Sequence, residues 1–152
     1  MRRRSLLPPK AKKSKRRVVV DTSVLVAGVS GFKETYFPGK TPSADVLHEW
    51  AEEQNFIWLI SGDILEEYKE VLKRLRVRSH LIGKLVNLIR ERAEDVKVRY
   101  LAEISPDPGD DPFCLCAEQG KADFIVTLNP KDFPQDRLKA VVVSPDQFPS
   151  GG

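Results

Sequence analysis

Short β-branched or apolar runs alternate along this chain with longer stretches whose apolar residues recur at helical spacing. The first run, Val18-Val19-Val20, stops abruptly at Asp21. With Arg17 it predicts a strand over 17–21, of the kind buried on both faces of a parallel sheet. Further strands are predicted at Phe56–Ile60, Val96–Val98, Asp123–Thr127 and Ala140–Val143. Between them, Ala44, Val46, Leu47 and Trp50 form the apolar side of a helix opened by Ser43 as N-cap and running to about Gln54. Ile64, Leu65, Tyr68, Val71, Leu72 and Leu75 line one face of a helix over about 62–75. Leu81, Ile82, Leu85, Val86, Leu88 and Ile89 do the same over about 80–94. A short helix from Pro112 to about Glu118 closes on Gly120 as its C′ residue. Gly28 to Pro42, with three Gly and two Pro, reads as a long loop.

Strands alternating with helices specify an α/β domain with a parallel sheet covered on both faces. In such sheets the functional crevice lies beyond the carboxyl ends of the strands. Polar residues gather there: Asp21-Thr22-Ser23 after the first strand and Thr127-Leu128-Asn129 after the fourth.

Length and composition narrow the class. A chain of 152 residues, 41% hydrophobic, is a prior for one globular domain. No apolar run approaches the roughly 18 residues of a membrane span, and the N-terminus has no apolar signal region. Cys114 and Cys116 stand too close in sequence for an ordinary disulfide, which points to a cytoplasmic protein. Their spacing is not that of a zinc site, and there is neither a Walker loop nor a GxGxxG pattern. The net charge of +3 conceals an asymmetry. Of 25 bases, nine precede Val18 (Arg2, Arg3, Arg4, Lys10, Lys12, Lys13, Lys15, Arg16 and Arg17), leaving 16 against 22 acids in the body. Residues 1–16, broken by Pro8-Pro9, read as a disordered basic arm and 149–152 as a flexible tail. Such an arm attracts phosphate backbones by counterion release; the plainer reading is a solubilising leader.

Three groups of acids are candidates for chemistry. Asp21 is either a cap at a strand-to-loop turn or a metal ligand at the sheet edge, with Thr22 and Ser23 supplying hydroxyls. Glu67 falls three residues after Ile64 and four before Val71, in line with buried positions. An acid there needs compensation, from a divalent cation or from an Arg or Lys. Glu66 instead shares the solvent side with Glu70 and Lys73. Asp107, Asp110 and Asp111 crowd one turn. Asp111 before Pro112 is explained as an N-cap; Asp110 is not, and a cation would relieve the repulsion. A solvated acidic turn is the alternative. Clustered carboxylates without His or Cys favour Mg²⁺ or Mn²⁺ over zinc.

Taken together, these segments resemble the PIN-domain family, in the bacterial and archaeal branch of toxins from toxin–antitoxin systems. The segments are Val18–Val26, Ser61–Tyr68, Asp107–Phe113 and Ala122–Thr127, in that order and spacing, over roughly residues 17–148. The resemblance implies a three-layer α/β/α sandwich with a central parallel sheet of four or five strands. It implies an endoribonuclease cutting single-stranded RNA with Mg²⁺ (or Mn²⁺), paired with an antitoxin protein and often homodimeric. The family's ligands fall on Asp21, Glu67 and Asp110, the last seven residues before Ala117. Ser23, Thr127 and Asn129 would orient water and ligands. The family's fourth aspartate falls on Asn129, which brings no charge, so Asp132 and Asp107 become the outer-sphere or second-metal candidates. The alternative function is a catalytically weak or inactive nucleic-acid-binding PIN module.

Overall fold

The computed structural model describes residues 15–31, 38–99 and 111–149. Its centre is a five-stranded, wholly parallel sheet in the order β3-β2-β1-β4-β5. The strands are β1 (Arg16–Val20), β2 (Phe56–Ile60), β3 (Glu94–Asp95), β4 (Phe124–Val126) and β5 (Val141–Val143). Five α-helices connect them: α1 (Thr22–Gly31), α2 (Pro42–His48), α3 (Gly62–Arg74), α4 (Ser79–Arg92) and α5 (Asp111–Gln119). The order reverses at β1. The chain steps outward from β1 to β2 and β3, then returns to the other side of β1 for β4 and β5. With right-handed crossovers, this places helices on both faces of the sheet.

β1 is central because its carboxyl half, Val18–Val20, is wholly apolar, while Arg16 and Arg17 stand at its less buried amino end. Val18, Val19 and Val20 are fully buried and pair on one side with Trp58 and Leu59, on the other with Phe124, Ile125 and Val126. Trp58, Tyr68 and Phe113 are the bulkiest fully buried side chains. Trp58 meets Trp50 edge-on at 4.7 Å between ring centroids, and Tyr68 at 6.1 Å. α3 is capped as its sequence demands: Ser61 Oγ accepts the Ile64 amide at 3.3 Å, Asp63 lies in the first turn, and Lys73 and Arg74 lie in the last.

The structure departs from the pattern reading in four places. α1 occupies Thr22–Gly31, through what reads as the start of a loop. It is apolar nearly all round, with Val24, Leu25 and Val29 buried, so it has no amphipathic stripe to betray it. Gly28 is a packing residue: a Cβ there would stand 2.9 Å from the Ser43 carbonyl and closer still to Leu47. Ser43 is buried within α2 and does not cap it. Thr41 holds the cap position without a side-chain bond, Pro42 is the first residue, and the last turn widens into a π-helix over Glu49–Glu53. β3 lies at Glu94–Asp95, two residues ahead of the apolar Val96–Val98, because an edge strand is defined by backbone pairing, here with Leu59 and Ile60.

The fourth departure is at the end of α5. The left-handed residue there is Lys121 (φ 56°), with the Lys121 amide on the Glu118 carbonyl and the Ala122 amide on that of Ala117. This is a Schellman ending in which Gly120 is the C-cap rather than C′. Gly120 is required for proximity: a Cβ would stand 2.7 Å from the Cys116 carbonyl and 2.8 Å from Val96.

Candidate active site

The reversal of strand order puts the ends of β1 and β4 side by side, which is where open parallel sheets form their crevice. Asp21 is the first residue beyond β1. Its amide donates to the Val126 carbonyl at 2.9 Å, and its own carbonyl accepts the amides of Val24 and Leu25 at 3.0 and 3.3 Å, starting α1. The carboxylate, on a residue only 9% exposed, sits where the helix dipole favours an anion. Its partners are hydroxyls rather than the amides a capping aspartate takes. Ser23 Oγ donates to Asp21 Oδ2 at 2.6 Å and Thr127 Oγ1 donates to the same oxygen at 2.8 Å.

Both hydroxyls are themselves held. Ser23 Oγ accepts the Leu128 amide at 3.1 Å, and Thr127 Oγ1 accepts the Asn129 amide at 3.1 Å. The loop after β4 is thereby tied to the start of α1 through one carboxylate oxygen. Thr127 is fully buried, whereas Asn129 is exposed.

Glu67 reaches the same crevice from α3. It is half-buried, and Thr22 Oγ1, from the residue next to Asp21, donates to its Oε2 at 2.5 Å. Burial raises the Glu67 carboxyl above its ordinary value, and the Asp21 charge adds to the rise; the Thr22 bond pulls the other way and Arg74 only weakly so. Neither Asp21 nor Glu67 forms an ion pair with a described Lys or Arg. Glu66, one residue earlier, is solvent-exposed and paired with Lys69 at 2.9 Å. Helical phase separates the two glutamates in space as it does in sequence.

A folded-state carboxyl with a raised pKa favours the folded protein while it is protonated and costs stability as pH rises through that pKa. Glu67→Gln is therefore expected to raise the melting temperature by a few degrees at neutral pH in chelator. The gain should vanish in acid, where both side chains are neutral. Melting curves across pH check it; a variant less stable than wild type at neutral pH would show that Glu67 is compensated.

Tyr68 supports this geometry and is not evident as a site residue from pattern alone, beyond its place next to Glu67. Its fully buried hydroxyl donates to the carbonyl of Val20, the last residue of β1, at 2.5 Å and accepts from Trp58 Nε1 at 3.3 Å. Burial pushes the phenol well above its ordinary pKa, so it stays a neutral donor. Thr22, offered by sequence as a partner of the neighbouring aspartate, holds the glutamate instead.

Asp107, Asp110 and the bases Arg2, Arg3, Arg4, Lys10, Lys12 and Lys13 lie outside the described residues. Asp111 is the first residue of α5. Asp132 is exposed at the end of a 3₁₀ turn, Pro130–Asp132. β1 starts at Arg16, inside the stretch read as an arm, and both of its first residues are engaged. Arg16 pairs with Glu49 at 2.8 Å, and Arg17 forks onto Glu94. Cys114 and Cys116 are buried, and burial pushes the Cys116 thiol up to about 12. Among the described residues no three His, Cys, Asp or Glu side chains gather to hold a metal, and no helix is long and apolar enough to cross a membrane. Asp21 and Glu67 nonetheless fit a hard cation: two partly buried carboxylates approach each other, and among the described residues neither is ion-paired to a base.

A parallel sheet reversing at β1, with an acid at the switch point and a second acid from the helix after β2, defines an α/β domain with an acidic crevice at its carboxyl edge. The PIN domain family model (PIN_3) matches residues 17–131, and the chain belongs to the PIN-domain family. Members are nucleases that typically work with divalent metal ions. No curated protein matches the chain.

Proposed function

We propose that this protein is a Mg²⁺- or Mn²⁺-dependent endoribonuclease hydrolysing single-stranded RNA in the cytoplasm, the toxin of a toxin–antitoxin pair. The observation that carries this reading is the approach of Asp21 and Glu67 at the switch point, neither of them ion-paired to a described Lys or Arg. A bound divalent cation supplies an activated water and neutralises charge on the phosphate. Asp21 and Glu67 would hold it, with Asp110 as the third ligand. Ser23 and Thr127 keep Asp21 Oδ2 occupied, which leaves Oδ1 for the cation and fixes the carboxylate plane. Thr22 does the same for Glu67. Asn129 offers the crevice an amide in place of a carboxylate, and Asp132 and Asp107 are outer-sphere or second-metal groups. RNA cleavage by the purified protein with Mg²⁺ or Mn²⁺, abolished by EDTA, is the expected result. Cleavage that survives EDTA, or of DNA alone, would overturn the reading.

The toxin role draws separate support from an apolar groove of about 300 Å³ lined by Leu47, Trp50, Leu81, Leu85 and Leu88. It suits an apolar helix from an antitoxin, or from a second copy in a homodimer. The uncharged Asn129 favours a second reading, a weak or inactive nucleic-acid-binding PIN module. RNA binding without metal-dependent cleavage would select it.

A further inference from the structure

A broad cleft lies at the opposite edge of the sheet from the acids. About 960 Å³ in volume, it is formed by the amino ends of β1, β4 and β5 and by the turn after α5. Five bases line it (Lys15, Arg16, Arg17, Lys121 and Lys139) against two acids, Glu118 and Asp123. Their bonds sort them into two kinds.

Arg16 and Arg17 are structural. Their guanidiniums are held by Glu49 and by Glu94, and Arg17 Nε also donates to the Gly120 carbonyl at 3.0 Å. Asp123 Oδ2 accepts the Arg17 amide at 2.8 Å and Glu118 Oε2 the Lys139 amide at 2.9 Å; both acids keep their charge, and the five lining bases outnumber them. Lys15, Lys121 and Lys139 remain exposed and in no ion pair among the described residues. Lys121 is at the left-handed end of α5, a backbone position set by the Schellman ending rather than by a partner for its ammonium group. Beside the lysines, Val141 is half-exposed and Phe124 half-buried, giving apolar surface.

We infer that this amino-edge cleft is a second nucleic-acid site, one that grips the phosphate backbone of RNA whose scissile bond lies in the acidic crevice. The inference rests on the nuclease reading for the role of the RNA but not for its binding. Hydrated lysine point charges over a broad surface suit sequence-independent phosphate contacts. An acidic crevice repels a polyanion, so most of the attraction must come from elsewhere on the surface. Six more bases immediately precede Lys15 in sequence. The five-residue β1 separates the two edges by about 16 Å. At roughly 3.4 Å per nucleotide, a stacked strand needs about five nucleotides to reach both, and a dinucleotide falls short.

The test uses the full chain in EDTA, titrating a labelled single-stranded RNA of well over that length and, separately, a dinucleotide. Lys121→Gln/Lys139→Gln is expected to weaken binding of the long RNA several-fold at low salt. It should also flatten the slope of log K against log salt by about 1.4, two contacts at roughly 0.7 each. Lys121→Arg/Lys139→Arg should retain the wild-type slope, and dinucleotide cleavage with metal should be the same in all three proteins. An unchanged slope and affinity in the Gln variant would overturn the inference. So would equal competition by polyglutamate, which would assign the cleft to an acidic protein. If wild type cleaves nothing yet the slope still responds to the lysines, the nuclease reading fails and the cleft stands.

Discussion

Asp21→Asn is expected to reduce metal-dependent RNA cleavage at least about 100-fold while leaving the fold intact. Loss of groups that merely support metal ligands typically costs 10- to 100-fold, so a direct ligand should cost no less. The asparagine carbonyl can still accept from Ser23 and Thr127, whose hydroxyls supply the bonds that seat Asp21 at the end of β1. What disappears is the charge of a buried acid at the switch point. Two measurements separate the outcomes: single-turnover cleavage, and Mn²⁺ binding by wild type and variant. Cleavage and Mn²⁺ affinity both equal to wild type would remove Asp21 from the machinery and return it to the capping role that sequence alone left open.

Tyr68→Phe is expected to cost about 2–6 kcal/mol of stability, at about 1–3 kcal/mol for each buried polar group left unpaired. Two groups are orphaned, the Val20 carbonyl and Trp58 Nε1, both within the core. For a chain of this length that is a fall of roughly 4–24 °C in melting temperature. The same bond joins α3, which carries Glu67, to the end of β1, which precedes Asp21. Tyr68 is therefore a positioning residue, and Mn²⁺ affinity should fall in the variant even well below its melting temperature. A melting temperature within a degree of wild type would mean that water replaces the hydroxyl, and with it the positioning role would go.

Much of this organisation is legible in the chain because its signals are local. Val18–Val20 declares a central strand, and β2 falls at Phe56–Ile60 as its pattern requires. The phase of Glu67 against Ile64 and Val71 separates it from Glu66, and in the structure one glutamate enters the crevice while the other pairs with Lys69. What escaped is set by tertiary contact. α1 is apolar on every side because it is packed on most of them, and periodicity reports only contrast. Gly28 reads as a loop signal when its use is the close approach of α2. The Thr22–Glu67 and Tyr68–Val20 bonds join residues 45 and 48 positions apart, a relation no spacing rule within one element contains.

The bond between Thr127 and Asp21 spans 106 residues. During synthesis at about 5–20 residues per second, Asp21 exists for several seconds before its hydroxyl partner has been made. Until then β1 lacks its neighbour on one flank, and the crevice has only one wall. Chains interrupted anywhere before β4 therefore cannot assemble it, and the crevice is completed only once the last strands have emerged.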